Sequence, residues 1–190
     1  MLNVLLDACV LFPAYLRDTL LSTAEAGLYI PYWSQKILDE ALGNLVLKGK
    51  ISAGKAINLE EVMKAAFPEA MVQVPAEIEE FMTNEPKDRH VLAAAVVARA
   101  DVIVTNNIID FDAQALTPWN IQAQSADDFL SDLFNDYPEE IVQVVQKQSQ
   151  KYRKYPLSVT ELLSLLSKQD GVNLVNFVSK IRSVGFDDAV

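Results

Sequence analysis

Asp7, Glu40, Asp88 and Asp110 are the residues of this sequence whose types and spacing could do chemistry together. Asp7 ends the apolar run LNVLL, Asp88 opens the alanine-rich stretch DRHVLAAAVVARA, and Asp110 lies just past a second apolar run, in VIVTNNIIDF. Acids at the carboxyl ends of strands in an open parallel sheet can share one edge, where such sheets bind ligands at the point where the strand order switches. Carboxylates within a few ångströms of one another repel unless cations neutralise them. Mg²⁺ or Mn²⁺ answers that need, since both prefer oxygen ligands and keep several waters. An ion held this way can bridge a phosphodiester, lower the pKa of a bound water and steady the leaving oxygen of an in-line displacement. Each acid also has a plainer role. Asp is a favoured helix N-cap, and for Asp7 or Asp88 taken singly capping is the commoner use. Glu40 stands mid-helix at the margin of an apolar stripe, where the amino-end dipole offers it nothing, although a surface Glu is commoner than a ligand.

The elements that would position these acids follow from periodicity and turn chemistry. Leu2–Leu6 reads as a strand, and Ala8–Leu16 continues as a helix. Leu28–Tyr32 is a second strand candidate, and Ser34 caps a helix through Leu47 whose apolar residues Ile37, Leu38, Ala41, Leu42 and Leu45 share a face. A helix over Ser52–Phe67 closes at Pro68, a strand follows at Met71–Val74, and a short helix spans Ala76–Met82. The stretch from Asp88 is helical and runs into the strand DVIVT, with a weak last strand at Asn120–Ala123 and a helix opened by Asp127-Asp128-Phe129. Strands alternating with helices imply an α/β fold, a parallel sheet sandwiched by helices, over residues 1–134. Residues 135–190 read as an all-helical C-terminal extension, with helices at Glu139–Tyr155, Val159–Lys168 and Val172–Arg182 broken at Pro156 and at Asp170-Gly171.

Composition narrows the chemistry. A chain of 190 residues, 51% apolar, can build one full core with a small appendage. No apolar run approaches the ~20 residues of a membrane helix, and the start lacks a signal-peptide pattern, so the expected address is the cytoplasm and no membrane is expected. One cysteine and one histidine cannot make a structural zinc site; a metal here would sit on oxygen. A net charge of −10 argues against a general nucleic-acid coat protein but not against a nuclease, whose bound cations reverse the local sign. Dinucleotide-binding and P-loop glycine motifs are absent.

The segments LLDACVLF, ILDEAL, DRHVLAAAVVARADVIVTNNIIDF and DDFL, in that order, resemble the successive motifs of the PIN domain, a family of metal-dependent ribonucleases that includes the VapC toxins of toxin–antitoxin pairs. The resemblance covers about residues 1–130. It implies a PIN-like fold, Mg²⁺- or Mn²⁺-dependent RNA cleavage, an antitoxin partner, and dimers such as relatives form. Carried over position by position, it assigns the family's four acids to Asp7, Glu40, Asp88 and Asp110. Many relatives carry an acid directly after the strand threonine, where this chain has Asn106, so the fourth ligand is either the amide of Asn106 or the carboxylate of Asp110. Thr105 and Asn106 then support metal or substrate.

The other candidates read more plainly. His90 could orient a carboxylate or donate to a phosphate, yet a first-turn histidine is more often a capping or surface residue. Cys9 reads as core. Lys48, Lys50 and Lys55 form one basic group. Lys147, Lys151, Arg153 and Lys154, interleaved with Tyr152 and Tyr155, form another that could contact phosphates and stack on unpaired bases, although a solvated helix face is the commoner explanation. A haloacid-dehalogenase-like phosphatase would also begin with a strand ending in Asp7, but it would need an acid where Cys9 stands. A non-catalytic PIN-like RNA-binding module is the other alternative.

Overall fold

The computed structural model describes residues 1–152, 157–167 and 173–185. In chain order the elements are β1 (Asn3–Leu6), α1 (Ala8–Leu11), α2 (Ala14–Glu25), β2 (Ile30–Ser34), α3 (Gln35–Leu47), α4 (Ala53–Ala66), β3 (Met71–Val72), α5 (Ala76–Glu80), α6 (Arg89–Ala98), β4 (Val102–Val104), α7 (Ala113–Leu116), β5 (Gln122–Gln124), α8 (Ala126–Asp136), α9 (Pro138–Lys151), α10 (Val159–Leu166) and α11 (Val175–Ser183). Single 3₁₀ turns lie at Pro86–Asp88, Ile108–Asp110 and Thr117–Trp119. The chain divides into two compact units, Met1–Phe12 with Tyr29–Gln124, and Pro13–Leu28 with Ser125–Val190. Among the described residues no helix is long and apolar enough to cross a membrane.

The first unit is an all-parallel five-stranded sheet of order β3-β2-β1-β4-β5 with helices packed on it, the α/β architecture expected. Its central strands are apolar on both faces, as parallel strands covered by helices must be: Val4, Leu5, Leu6, Ile103 and Val104 are wholly buried. The edges are β3, only two residues long, and β5, which reads Gln-Ala-Gln; short or polar edges discourage pairing with other chains. Helix α6 packs on β1, β2, β3 and β4, and its Ala93, Ala94 and Ala95 are buried, small enough to let the helix axis come close to the sheet. Ser34 caps α3 through its hydroxyl, which accepts from Ile37 N at 3.3 Å, and the expected apolar face of α3 is buried. The strand order turns at β1: β2 and β3 lie on one side of it, β4 and β5 on the other.

Two expectations for the amino-terminal region need correction. The helix expected over Ala8–Leu16 is two helices, broken at Phe12-Pro13, because Pro13 has no N–H to donate and its ring obstructs the preceding turn. The second helix, α2, then continues to Glu25, well past the expected end.

The second unit is helical. Helix α2 packs on α9 and α10, and α8 packs on α9 and α11. Its apolar interior includes Leu16, Leu20, Phe129, Leu130, Ile141, Val145, Leu162, Phe177 and Ile181. Asp127 of α8 gives both carboxylate oxygens to the amino end of α11, accepting from Asn176 N at 3.0 Å and Phe177 N at 2.8 Å, so a helix that lacks a capping side chain of its own is capped from a neighbour. Gln148 is buried and tied to Thr19 Oγ1 and to the Tyr15 carbonyl, which fixes α9 against α2.

Candidate metal centre

Asp7 follows β1 directly, and its N–H donates to the Val104 carbonyl at 3.1 Å, so the residues leaving the two central strands, Asp7 and Thr105, sit side by side at the carboxyl edge. Both are buried. Asp7 Oδ1 accepts from Ala8 N at 2.6 Å, the capping role that its position suggests. Its other oxygen, Oδ2, accepts from Thr105 Oγ1 at 2.7 Å and from the Cys9 thiol at 3.2 Å. Thr105 Oγ1 in turn accepts from Asn107 N at 3.0 Å, and Cys9 Sγ accepts from Asn106 N at 3.2 Å. Cys9 is thus part of the frame around the first acid and not core filling. Burial, followed by the negative charge of Asp7, pushes its thiol up to about 12, which keeps the proton on sulfur as a donor to the carboxylate.

Asp88 closes the 3₁₀ turn that leads into α6. It occupies the N-cap position of that helix, yet its side chain makes no capping hydrogen bond. The carboxylate is buried, and Oδ2 has no hydrogen-bond partner among the described residues. Burial pushes this carboxyl up to about 6; Lys87 opposes the rise, and the negative charges of Asp7 and Asp110 add to it. These influences place Asp7, Asp88 and Asp110 in one electrostatic neighbourhood. Asp110 ends the 3₁₀ turn Ile108–Asp110, anchored by buried Phe111, and its carbonyl accepts from Glu85 N at 3.4 Å, which ties its turn to the segment entering Asp88.

Glu40 is joined to this edge through His90. Its Oε2 lies 3.4 Å from His90 Nε2, and His90 Nδ1 donates to the Lys87 carbonyl at 3.0 Å. With Nδ1 turned to the Lys87 carbonyl, the histidine presents Nε2 toward the Glu40 carboxylate.

Lys87 was invisible to sequence reasoning. Its ammonium lies 3.0 Å from Asp110 Oδ2 and 3.9 Å from Asp88 Oδ2, and the pairing with Asp110 raises the lysine pKa. The only available signal was its place directly before Asp88 in PKDRH, which looks like any turn lysine. Among the described residues no three His, Cys, Asp or Glu side chains form a ready-made metal-binding group. The donors at the edge are hard oxygens, and one buried carboxylate oxygen, Asp88 Oδ2, is satisfied by no hydrogen bond, which suits a hard divalent cation.

Lys48 stacks over the Phe12 ring at 4.7 Å. In the second unit Lys147 and Lys151 line a cavity of 360 Å³ with Ser22, Glu25, Ala26 and Val144, and Lys151 pairs with Glu25 at 3.5 Å. Tyr152 does not offer the open stacking face considered for it. Its hydroxyl donates to Asp18 Oδ2 at 2.9 Å, and its ring meets Tyr15 edge-on at 5.4 Å. Arg153, Lys154 and Tyr155 lie outside the described residues.

Residues 3–109 match the PIN domain family, and residues 126–183 match the VapC50 C-terminal domain family. A Mycobacterium tuberculosis protein named "Putative ribonuclease VapC50" is 44% identical over 88 residues, a match that covers 46% of this chain and 52% of that protein. The chain thus spans about half the length of the curated relative it matches. No solved structure matches it.

Proposed function

The chain belongs to the PIN domain family, and from that premise we propose that it is an endoribonuclease that uses Mg²⁺ or Mn²⁺ to hydrolyse RNA phosphodiester bonds, acting as the toxin of a type II toxin–antitoxin pair. The observation that carries this reading is Asp7 buried at the carboxyl end of β1, where the strand order turns, together with Asp88 and Asp110 reached by one ammonium, that of Lys87, at 3.9 and 3.0 Å. The likeness to a relative named a ribonuclease, and to the C-terminal domain family that bears its name, supports the toxin assignment.

Asp7, Glu40, Asp88 and Asp110 would hold the cation. When bound, the divalent ion supplies charge for the phosphate and acidifies an attacking water. Thr105 and Cys9 fix the direction of the Asp7 carboxylate by donating to Oδ2, so that one oxygen is preset by protein hydrogen bonds. Asn106, next to Thr105, would touch either the cation or the RNA. Lys147 and Lys151 are the described members of the proposed RNA-binding group, and a protein antitoxin, a second copy of the chain and a cytoplasmic location complete the proposal.

The test is cleavage by the purified chain. RNA should be cut only when Mg²⁺ or Mn²⁺ is present, a phosphomonoester should not be turned over, and Asp7→Asn and Asp88→Asn should abolish cutting while keeping the fold. Full activity in both variants overturns the site; phosphomonoester turnover overturns the substrate class.

A further inference from the structure

Lys87 belongs to neither the acid set nor the RNA-binding group, yet its ammonium spans two of the acids. Its backbone is pinned, with the carbonyl accepting from His90 and the following N–H of Asp88 donating to Glu85 O at 2.9 Å. Its side chain is not: it is 64% exposed, a flexible four-carbon arm reaching in from solvent. The lysine end of the pair is exposed while its two acids are largely covered, so an incoming cation that takes over those oxygens compensates for breaking it. The carboxylate oxygens it reaches are those a hard cation would take, including the Asp88 Oδ2 that no hydrogen bond satisfies.

We propose that Lys87 competes with the divalent cation for Asp88 and Asp110 and, once displaced, donates its charge to the scissile phosphate of the RNA. The inference rests on the metal-dependent reading above. Charge supports it: Asp7, Glu40, Asp88 and Asp110 together outweigh one divalent cation, and the Lys87 ammonium lowers the net negative charge that the phosphodiester would meet there. Lysine acts here as a mobile point charge, able to leave a carboxylate for a phosphate without any movement of the main chain.

The experiment titrates Mn²⁺ into the full chain and into Lys87→Gln and Lys87→Arg by calorimetry, follows the Lys87 ammonium by NMR as Mg²⁺ is added, and measures RNA cleavage at saturating Mn²⁺. Lys87→Gln should bind Mn²⁺ about tenfold more tightly, since one opposing charge near the ion is gone. It should nevertheless cut RNA about a hundredfold more slowly, as loss of a charge-stabilising donor does elsewhere, while Lys87→Arg keeps most of the rate. The Lys87 ammonium signal should shift as Mg²⁺ saturates the site. Unchanged or weaker Mn²⁺ affinity in Lys87→Gln, or an ammonium still paired with Asp110 at saturating Mg²⁺, overturns the competition. Tighter binding with full cleavage overturns the phosphate contact. If the unaltered chain binds no Mn²⁺, the metal reading falls and this inference with it; if it binds Mn²⁺ and cuts RNA but Lys87→Gln behaves identically, this inference alone fails.

Discussion

At the scale of single residues, the candidate centre sets carboxylates against burial. An acid whose pKa rises from 3.8 to about 6 on folding holds its proton more tightly in the folded chain, so the stability it contributes is full below pH 3.8 and is lost as pH rises through 6. Asp88→Asn should therefore melt with the parent in acid, melt higher than the parent at neutral pH without metal, and gain less than the parent when Mg²⁺ is added, because it binds the ion less well. Thermal melts across that pH range, with and without Mg²⁺, check all three; a variant less stable than the parent in metal-free neutral buffer would show that the Asp88 charge is already satisfied. Asp110 and Asn106 offer the second comparison. Charge on a ligand matters most for a hard cation, so Asp110→Asn should weaken Mg²⁺ activation far more than Asn106→Ala, with excess Mn²⁺ partly restoring it. The reverse order in a Mg²⁺ titration would make Asn106 the ligand and leave Asp110 to its turn and its pairing with Lys87. The acids were legible because strand-end and helix-start positions announce themselves in sequence. Cys9 and Lys87 were not, since a thiol that donates to a carboxylate looks like core, and a lysine that spans two acids looks like solvent-facing charge.

At the scale of elements, regular apolar periodicity made the sheet unit readable, and its loss hid α2. That helix buries Arg17, Thr19 and Thr23 along with Leu16 and Leu20, so its inner face is half polar and shows no clean stripe. Its threonine hydroxyls are satisfied from within and from α9, Thr23 donating to the Leu20 carbonyl and Thr19 Oγ1 reaching both the Tyr15 carbonyl and Gln148, a pairing that no single-segment pattern can announce. The end of α6 was harder still. Arg99 closes it in the left-handed conformation, φ 51°, a position that glycine usually takes, and its carbonyl accepts from Asn3 Nδ2 at 3.2 Å. Relieving the Cβ strain of an L-residue there outweighs the extra chain entropy of glycine, so Arg99→Gly should raise stability by about 0.5–1 kcal/mol. Urea unfolding at constant slope measures it; a lower midpoint would mean that the arginine side chain holds something the strain argument leaves out.

At the scale of the whole chain, the proposed division into 1–134 and 135–190 is a claim about what folds alone, and α2 decides what such a fragment does. The first unit contains every acid of the candidate centre, and its sheet closes at β5. Yet the segment Pro13–Leu28 belongs to the second unit, where α2 packs on α9 and α10 and buries Leu16 and Leu20 completely. A 1–134 fragment keeps α2 and removes both of those partner helices. It should retain a cooperative melt and the Mn²⁺ affinity of the full chain, because the ligands and the strands that place them are intact. It should also self-associate, because Leu16 and Leu20, wholly buried in the full chain, then meet water. Replacing Leu16 by Glu and Leu20 by Lys in the fragment should return it to a monomer without touching Mn²⁺ binding. Sedimentation with a parallel Mn²⁺ titration separates the outcomes: a fragment that neither melts cooperatively nor binds Mn²⁺ would show that the helical extension and the sheet share one core, and the division would fall.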